Sequence, residues 1–216
     1  MICFTAILGG FEQLRPVTNP GDARWIALTD HPPVDPMGWE MWPVPPAQNP
    51  ADPRRMARRY KVLCHRFFPD ADAWLWLDGA IQLTVPPETV ANALLDGADI
   101  GGFRHPGRNC AYAEADRCIQ KGKDTARILN GQKAAMKAAG FPEGWGLVET
   151  GLLARRNTKE IRNLNERWWL QIEQYSMRDQ ISLPFSCWRL GVSLFGAPGS
   201  LVNHHWVDYR SHAGKK

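Results

Sequence analysis

The stretch Trp74-Leu75-Trp76-Leu77-Asp78-Gly79-Ala80-Ile81-Gln82-Leu83 runs from apolar residues straight into an acid and a glycine, after which an apolar alternation resumes. In an α/β protein this reads as a buried parallel strand that delivers one carboxylate to its C-terminal end, the edge of an open sheet where ligands gather. Burying an unpaired charge is costly, so a carboxylate there needs a partner, and a metal–diphosphate complex would be one. Asp78-Gly79 also reads as an ordinary turn pair between two hydrophobic runs. The stretch alone leaves both readings open.

Outward from it, the pattern alternates strands with helices. Residues 2–8 read as a strand ended by Gly9-Gly10, where backbone approaches a ligand closely. Residues 25–30 read as a second strand ending in Asp30, and the strand–acid pattern repeated at Asp30 and Asp78 makes 2–8, 25–30 and 74–78 neighbours in one sheet. Residues 31–53 are proline-rich and predict an ordered extended loop, with a short strand near 39–44. Asp52-Pro53 then opens a helix as N-cap and first-turn proline. Met56, Tyr60, Leu63 and Phe67 give it an apolar face, and Arg54, Arg58, Lys61 and His65 a basic one, which as a charge run also fits a solvated surface.

Further along, a helix is expected from Pro86 through Leu95, a short strand over 100–103, and two helices between 110 and 140 broken near Gly122. A strand follows over 147–154, a long helix over 158–176 with Trp168 and Trp169 in the core, and a helix or turn over 178–188 interrupted by Pro184. The tail from Ser193 reads as loop and short strand. The alternation predicts an α/β layered sheet. A chain of 216 residues without repeats or a linker predicts a single domain spanning 1–216.

Bulk composition narrows the class. No segment reaches the roughly 18 uninterrupted apolar residues of a membrane span, and the N-terminus reads as a strand, not a signal peptide. Five cysteines without metal-type spacing fit free thiols in a reducing compartment, so a cytoplasmic location is expected. A net charge of +4 is mild: it permits an anionic ligand without requiring a nucleic-acid surface.

Several segments together resemble one family. They are Phe4-Thr5-Ala6-Ile7-Leu8-Gly9-Gly10-Phe11, Asp52-Pro53-Arg54-Arg55-Met56-Ala57-Arg58-Arg59-Tyr60-Lys61, His65-Arg66-Phe67-Phe68-Pro69, Trp76-Leu77-Asp78-Gly79-Ala80-Ile81, His105-Pro106-Gly107-Arg108, Glu114, and Trp168-Trp169 followed by Ser176-Met177-Arg178-Asp179-Gln180. In this order they resemble the glycosyltransferase-like domain of plant mucilage- and turgor-related proteins, found also in bacteria and viruses. The resemblance implies a GT-A-like α/β sandwich with a central mixed sheet, binding a nucleotide sugar. More distantly, Glu149-Thr150-Gly151-Leu152-Leu153 and Asp179-Gln180 resemble the strand and Asp-Gln pair of retaining GT-A transferases, which often place a metal-ligand histidine near the C-terminus. His204, His205 and His212 are the candidates here.

Glycosyl transfer requires that the leaving diphosphate be stabilised, the sugar held and the acceptor hydroxyl deprotonated. The resemblance assigns donor binding to Gly9, Gly10, Arg55, Arg58, Lys61, Asp78 and Gln180. It assigns catalysis to Asp179, Glu149 and Arg178, and His105 and Arg108 fit an acceptor- or phosphate-facing loop. Many GT-A enzymes carry Asp-x-Asp where this chain has Asp78-Gly79-Ala80. Either Asp78 and His204 hold Mn²⁺ or Mg²⁺, with water and phosphate in the other positions, or Arg58 and Lys61 neutralise the diphosphate without a metal. Arg58 and Lys61 are expected to touch phosphate, and Asp179→Asn to leave folding nearly intact because it preserves shape. The acceptor is open: a glycan or, as the alternative, a modified base in DNA. A catalytically inactive sugar-binding module is the further alternative, argued by the missing second aspartate.

Overall fold

The computed structural model of the chain describes residues 1–45 and 52–210. The central sheet is built from β1 (Ile2–Ile7), β2 (Arg24–Thr29), β3 (Glu40–Pro43), β4 (Ala73–Leu77), β6 (Ile100–Arg104), β7 (Val148–Arg156) and β8 (Leu194–Ala197), in the order β3-β2-β1-β4-β7-β6-β8. Strands β1 to β4 run parallel, β7 is antiparallel to both its neighbours, and β6 pairs β8 in parallel. The strands read at 2–8, 25–30 and 74–78 are therefore adjacent, with β1 between the other two. A small antiparallel pair, β5 (Ile81–Leu83) with β9 (Val207–Tyr209), brings the C-terminal segment back beside the end of β4.

The two-residue period of a strand explains the layers. Trp74 and Trp76 point into one core, with Phe4, Ile26 and Leu28. Leu75 and Leu77 point into the other, with Cys3, Trp25 and Ala27. The first core is covered by α1 (Pro53–Val62), α2 (Cys64–Phe67) and α6 (Lys159–Gln174), whose Ile161, Leu164, Trp168 and Ile172 are fully buried. The second is covered by α3 (Pro87–Leu94) through Val90, Ala91 and Leu94. The helices α4 (Ala111–Gln120), α5 (Ala126–Ala138) and α7 (Asp179–Leu190) enclose a third cluster around Phe141 and Phe185. The break near Gly122 falls between α4 and α5, and α7 runs on as one helix through Pro184. Among the described residues no helix is long and apolar enough to cross a membrane.

Two expectations need correcting. The helix read from Asp52 is interrupted at Leu63, so Phe67 belongs to a separate turn of helix. Its basic face is split: Lys61 is 0% exposed and Arg58 half-buried, while Arg54 is exposed.

Strand β6 shows why its glycine is required. A Cβ on Gly101 would lie 1.8 Å from the Leu94 carbonyl oxygen at the end of α3, and a backbone atom cannot swing aside. Gly101→Ala is expected to cost about 1–3 kcal/mol through overpacking, read as a lower urea midpoint at unchanged slope. An unchanged midpoint would show that α3 slides away freely.

Candidate functional site

Strand β4 ends at Leu77, and Asp78 turns the chain: the Ile81 amide donates to the Asp78 carbonyl at 2.9 Å. The turn reading of Asp78-Gly79 therefore holds. The backbone makes the turn, and the side chain stands at the C-terminal edge of the sheet, 32% exposed. The Trp76 indole donates to Asp78 Oδ1 at 2.7 Å. The other oxygen packs toward β7, where a Cβ on Gly151 would come within 3.2 Å of Oδ2.

Helix α1 is fixed at its start by Asp52, whose carboxylate accepts from the amides of Arg54 and Arg55. One turn in, Arg58 and Lys61 face inward together. Lys61 bonds to Asp179 at the start of α7 and lies 3.9 Å from Asp78. Arg58 sits 3.5 Å from Asp179 and 3.8 Å from Asp78, its side chain 22% exposed. Burial opposes the Arg58 charge, but Asp179, Asp78, Glu12 and Asp52 hold its pKa above the ordinary value. Burial also opposes ionisation of Asp179, yet Arg58 and Lys61 hold its carboxyl well below the usual carboxylate range. On Lys61 burial outweighs the two carboxylates and pulls the pKa down.

Arg58, Asp78 and Asp179 border a cavity of about 160 Å³ at the sheet edge. Of the residues singled out from the sequence, Arg58, Asp78 and His105 line it, as do Glu149, Arg178, Asp179 and Gln180. Lys61 lies behind this wall, fully buried, so its expected phosphate contact is replaced by an ion pair. The Asp179 side chain is 5% exposed and clamped by two cations, so Asp179→Asn cannot be the fold-neutral change expected from shape. Arg178 forms the N-cap position of α7, and its Nε is buried without a hydrogen-bond partner.

Glu149, at the second position of β7, accepts from the Leu201 amide at 2.8 Å. Burial pushes its carboxyl pKa up despite that bond and a weaker one from Ser200. His105 Nδ1 accepts from the amides of Gly107 and Arg108, both at 3.1 Å. Burial, and then the Arg108 charge, lower its pKa and keep the ring neutral.

Other sequence candidates lie elsewhere. The Gly9 amide donates to the Asp30 carboxylate at 3.0 Å, and Gly9 and Gly10 stand outside the cavity lining. Arg55 donates to the Ile172 carbonyl, tying α1 to α6. Arg108 pairs with Glu114 at 2.5 Å behind His105. His204 is stacked among Phe103, His205 and Trp206, outside the cavity lining. His212 lies outside the described residues.

Among the described residues the donor set does not fit a divalent cation. Among the described residues no three His, Cys, Asp or Glu side chains gather as a metal group. Asp78 Oδ1 already faces an indole N–H and two cations, and the buried Ala80 supplies no second ligand.

Three contributors escaped the sequence reading. Leu201, Val202 and Tyr209 line the cavity from the C-terminal segment, brought there by the pairing of β9 with β5. The tail's polarity gave no signal of this; only the apolar alternation at Ile81–Leu83, which needs a partner strand, hinted at it.

Comparison with known proteins places the chain in a family and agrees with the fold. The profile of the TOD1/MUCI70, glycosyltransferase-like domain matches residues 39–197. A probable hexosyltransferase, MUCI70 of Arabidopsis thaliana, is 28% identical over 142 residues, covering 61% of this chain and 24% of the plant protein. The chain thus spans about a quarter of that relative. Among solved structures, the bifunctional glycosyltransferase WbbM superposes with a TM-score of 0.52 at 7% identity, over 86% of this chain and 36% of that one. The galactosyltransferase LgtC, with donor and acceptor sugar analogues, gives 0.49 at 15% identity over 86% and 70%. The fold is an α/β GT-A-like sandwich with a central mixed sheet.

Proposed function

The chain belongs to the TOD1/MUCI70 glycosyltransferase-like domain family, and from that premise we propose that it transfers a sugar from a nucleotide-sugar donor to an acceptor hydroxyl of a glycan. The observation that carries this reading is the convergence of Arg58, Asp78 and the Arg178-Asp179-Gln180 trio on one cavity at the sheet edge. The name of the plant relative makes a hexose the first donor to try.

The residues divide the work. Arg58 and Arg178 stabilise the leaving diphosphate, aided by the positive end of α7. Gln180 holds the sugar. Asp179 is a positioning residue, because its carboxylate is spent on Arg58 and Lys61. Glu149, whose carboxyl pKa burial raises, is suited to exchange a proton or to face the anomeric carbon. His105, its Nδ1 held by the Gly107 and Arg108 amides and its Nε2 2.8 Å from Arg108 Nη2, shapes the acceptor side of the cavity. The cysteines are unpaired thiols, which fits work in a reducing compartment such as the cytoplasm.

The test is turnover of a panel of nucleotide sugars, as hydrolysis and as transfer to oligosaccharides, beside Arg58→Ala. That variant is expected to weaken donor binding by about 1–3 kcal/mol, the size of a charge-assisted contact, read by calorimetry. Binding without turnover on any acceptor would make the chain a sugar-binding module. Equal affinity in wild type and variant would remove Arg58 from the donor site.

A further inference from the structure

We propose that Arg58, held over Asp78 and Asp179, occupies the place a divalent cation would otherwise take, so that the donor diphosphate is bound without a metal ion. The inference rests on the donor site proposed above and concerns how that site handles charge.

Three observations carry it. First, Asp78 is spent: its Oδ1 accepts from the Trp76 indole at 2.7 Å and has Arg58 Nη1 at 3.8 Å and Lys61 Nζ at 3.9 Å. A cation bound to that oxygen at the ~2.0–2.6 Å usual for Mg²⁺ or Ca²⁺ would face two positive groups at close range. Its Oδ2 lies toward Gly151, where a Cβ would come within 3.2 Å of it. Second, the second acid of an Asp-x-Asp pair is missing. Ala80, two residues on, is buried and apolar, and His204 packs against the rings of Phe103, His205 and Trp206. Third, Arg58 is built to serve. Asp179, Asp78, Glu12 and Asp52 all favour its charge. It is pinned from below by a nearly buried carboxylate, and it still borders the cavity. A guanidinium presents a fixed fork to phosphate oxygens, and a permanent charge fixed in advance needs no reorganisation when the leaving group departs.

The experiment measures binding of uridine, guanosine, cytidine, adenosine and thymidine diphosphates to the intact chain, in excess EDTA and in Mn²⁺, by calorimetry. Electron paramagnetic resonance of Mn²⁺ titrated with the protein alone gives a second readout. The expected result is one preferred nucleotide whose Kd changes less than about two-fold between the two media, with no protein-bound Mn²⁺ signal. By the contact energy cited above, Arg58→Ala should weaken it about ten-fold or more in both media. A ten-fold or larger loss in EDTA, or a protein-bound Mn²⁺ signal that vanishes in Asp78→Asn, would overturn the inference and leave the donor site standing. Failure of every nucleotide in both media would overturn the donor site and this inference with it.

Discussion

Asp179→Asn is expected to lower folding stability by about 3–5 kcal/mol at neutral pH, the usual consequence of removing one partner from a buried ion pair. The change is nearly isosteric, so packing is not the cause. The cause is Lys61, which is 0% exposed and bonded to the Asp179 carboxylate. An amide in its place leaves a buried ammonium without its counter-charge, and Arg58 loses its nearest carboxylate as well. Against a typical stability of about 5–15 kcal/mol, the loss is visible in a urea titration.

The pH dependence has a definite sign. Asp179 is held well below the ordinary carboxylate range in the folded chain, while unfolded it returns to about 3.9. Its contribution is therefore fully present above about pH 4 and is lost as pH falls toward the folded value. Wild type should lose stability on acidification below about pH 4, and the variant should lack that share of the slope. Lys61→Met added to Asp179→Asn removes the stranded charge and should recover much of the loss, since apolar replacement of a whole buried pair is often neutral. Transfer activity should stay low in the double variant, because Arg58 remains unpositioned. A loss under about 1 kcal/mol in the single variant, within the range of an exposed pair, would show that water reaches Lys61 and that the pair is not structural.

That result bears on what can be read from a sequence. Strand β4 was legible because its pattern is local: four apolar residues buried alternately on two faces, then an acid, a glycine and a turn. Its neighbours were legible for the same reason, and the segments resembling a known family brought most of the cavity wall into view. Lys61 was not legible. Helical spacing put it on a face with Arg58, but whether that face meets water or a carboxylate depends on Asp179, 118 residues away in the chain. The same limit hid the tether between Glu149 and Leu201, 52 residues apart. His204 failed differently: a histidine in a polar tail signals a ligand only if the chain turns it toward the site, and here the ring is taken by Phe103 and Trp206.

Arg155 is the extreme case, and it supports the second large prediction. Located near the end of β7, it is 0% exposed and has no carboxylate partner among the described residues' salt bridges. Its guanidinium instead donates to the carbonyls of Lys61, at 2.5 Å, and Val62, at 3.1 Å, and to Asn165 Oδ1 at 2.8 Å. Those carbonyls belong to the last turn of α1, where helix geometry leaves oxygens unpaired and the helix dipole favours a cation. Arg155 therefore caps, from a strand, the helix that carries Arg58 and Lys61. Burial lowers its pKa, yet an arginine stays charged, so the helix end compensates a cost that burial imposes.

Arg155→Met keeps most of the stem and removes every donor. Three buried acceptors lose a partner at about 1–3 kcal/mol each, while relief of the buried charge offsets part of this. The expected net loss is about 3 kcal/mol, with α1 loosened at its C-terminal end. Because Arg155 does not line the cavity, any accompanying rise in donor Kd must act through α1, and it should shrink in Arg155→Lys if a single cation at the helix end suffices to hold it. A variant as stable as wild type with unchanged donor affinity would mean that the α1 carbonyls find water or other donors, and that Arg58 is placed by its two carboxylates alone.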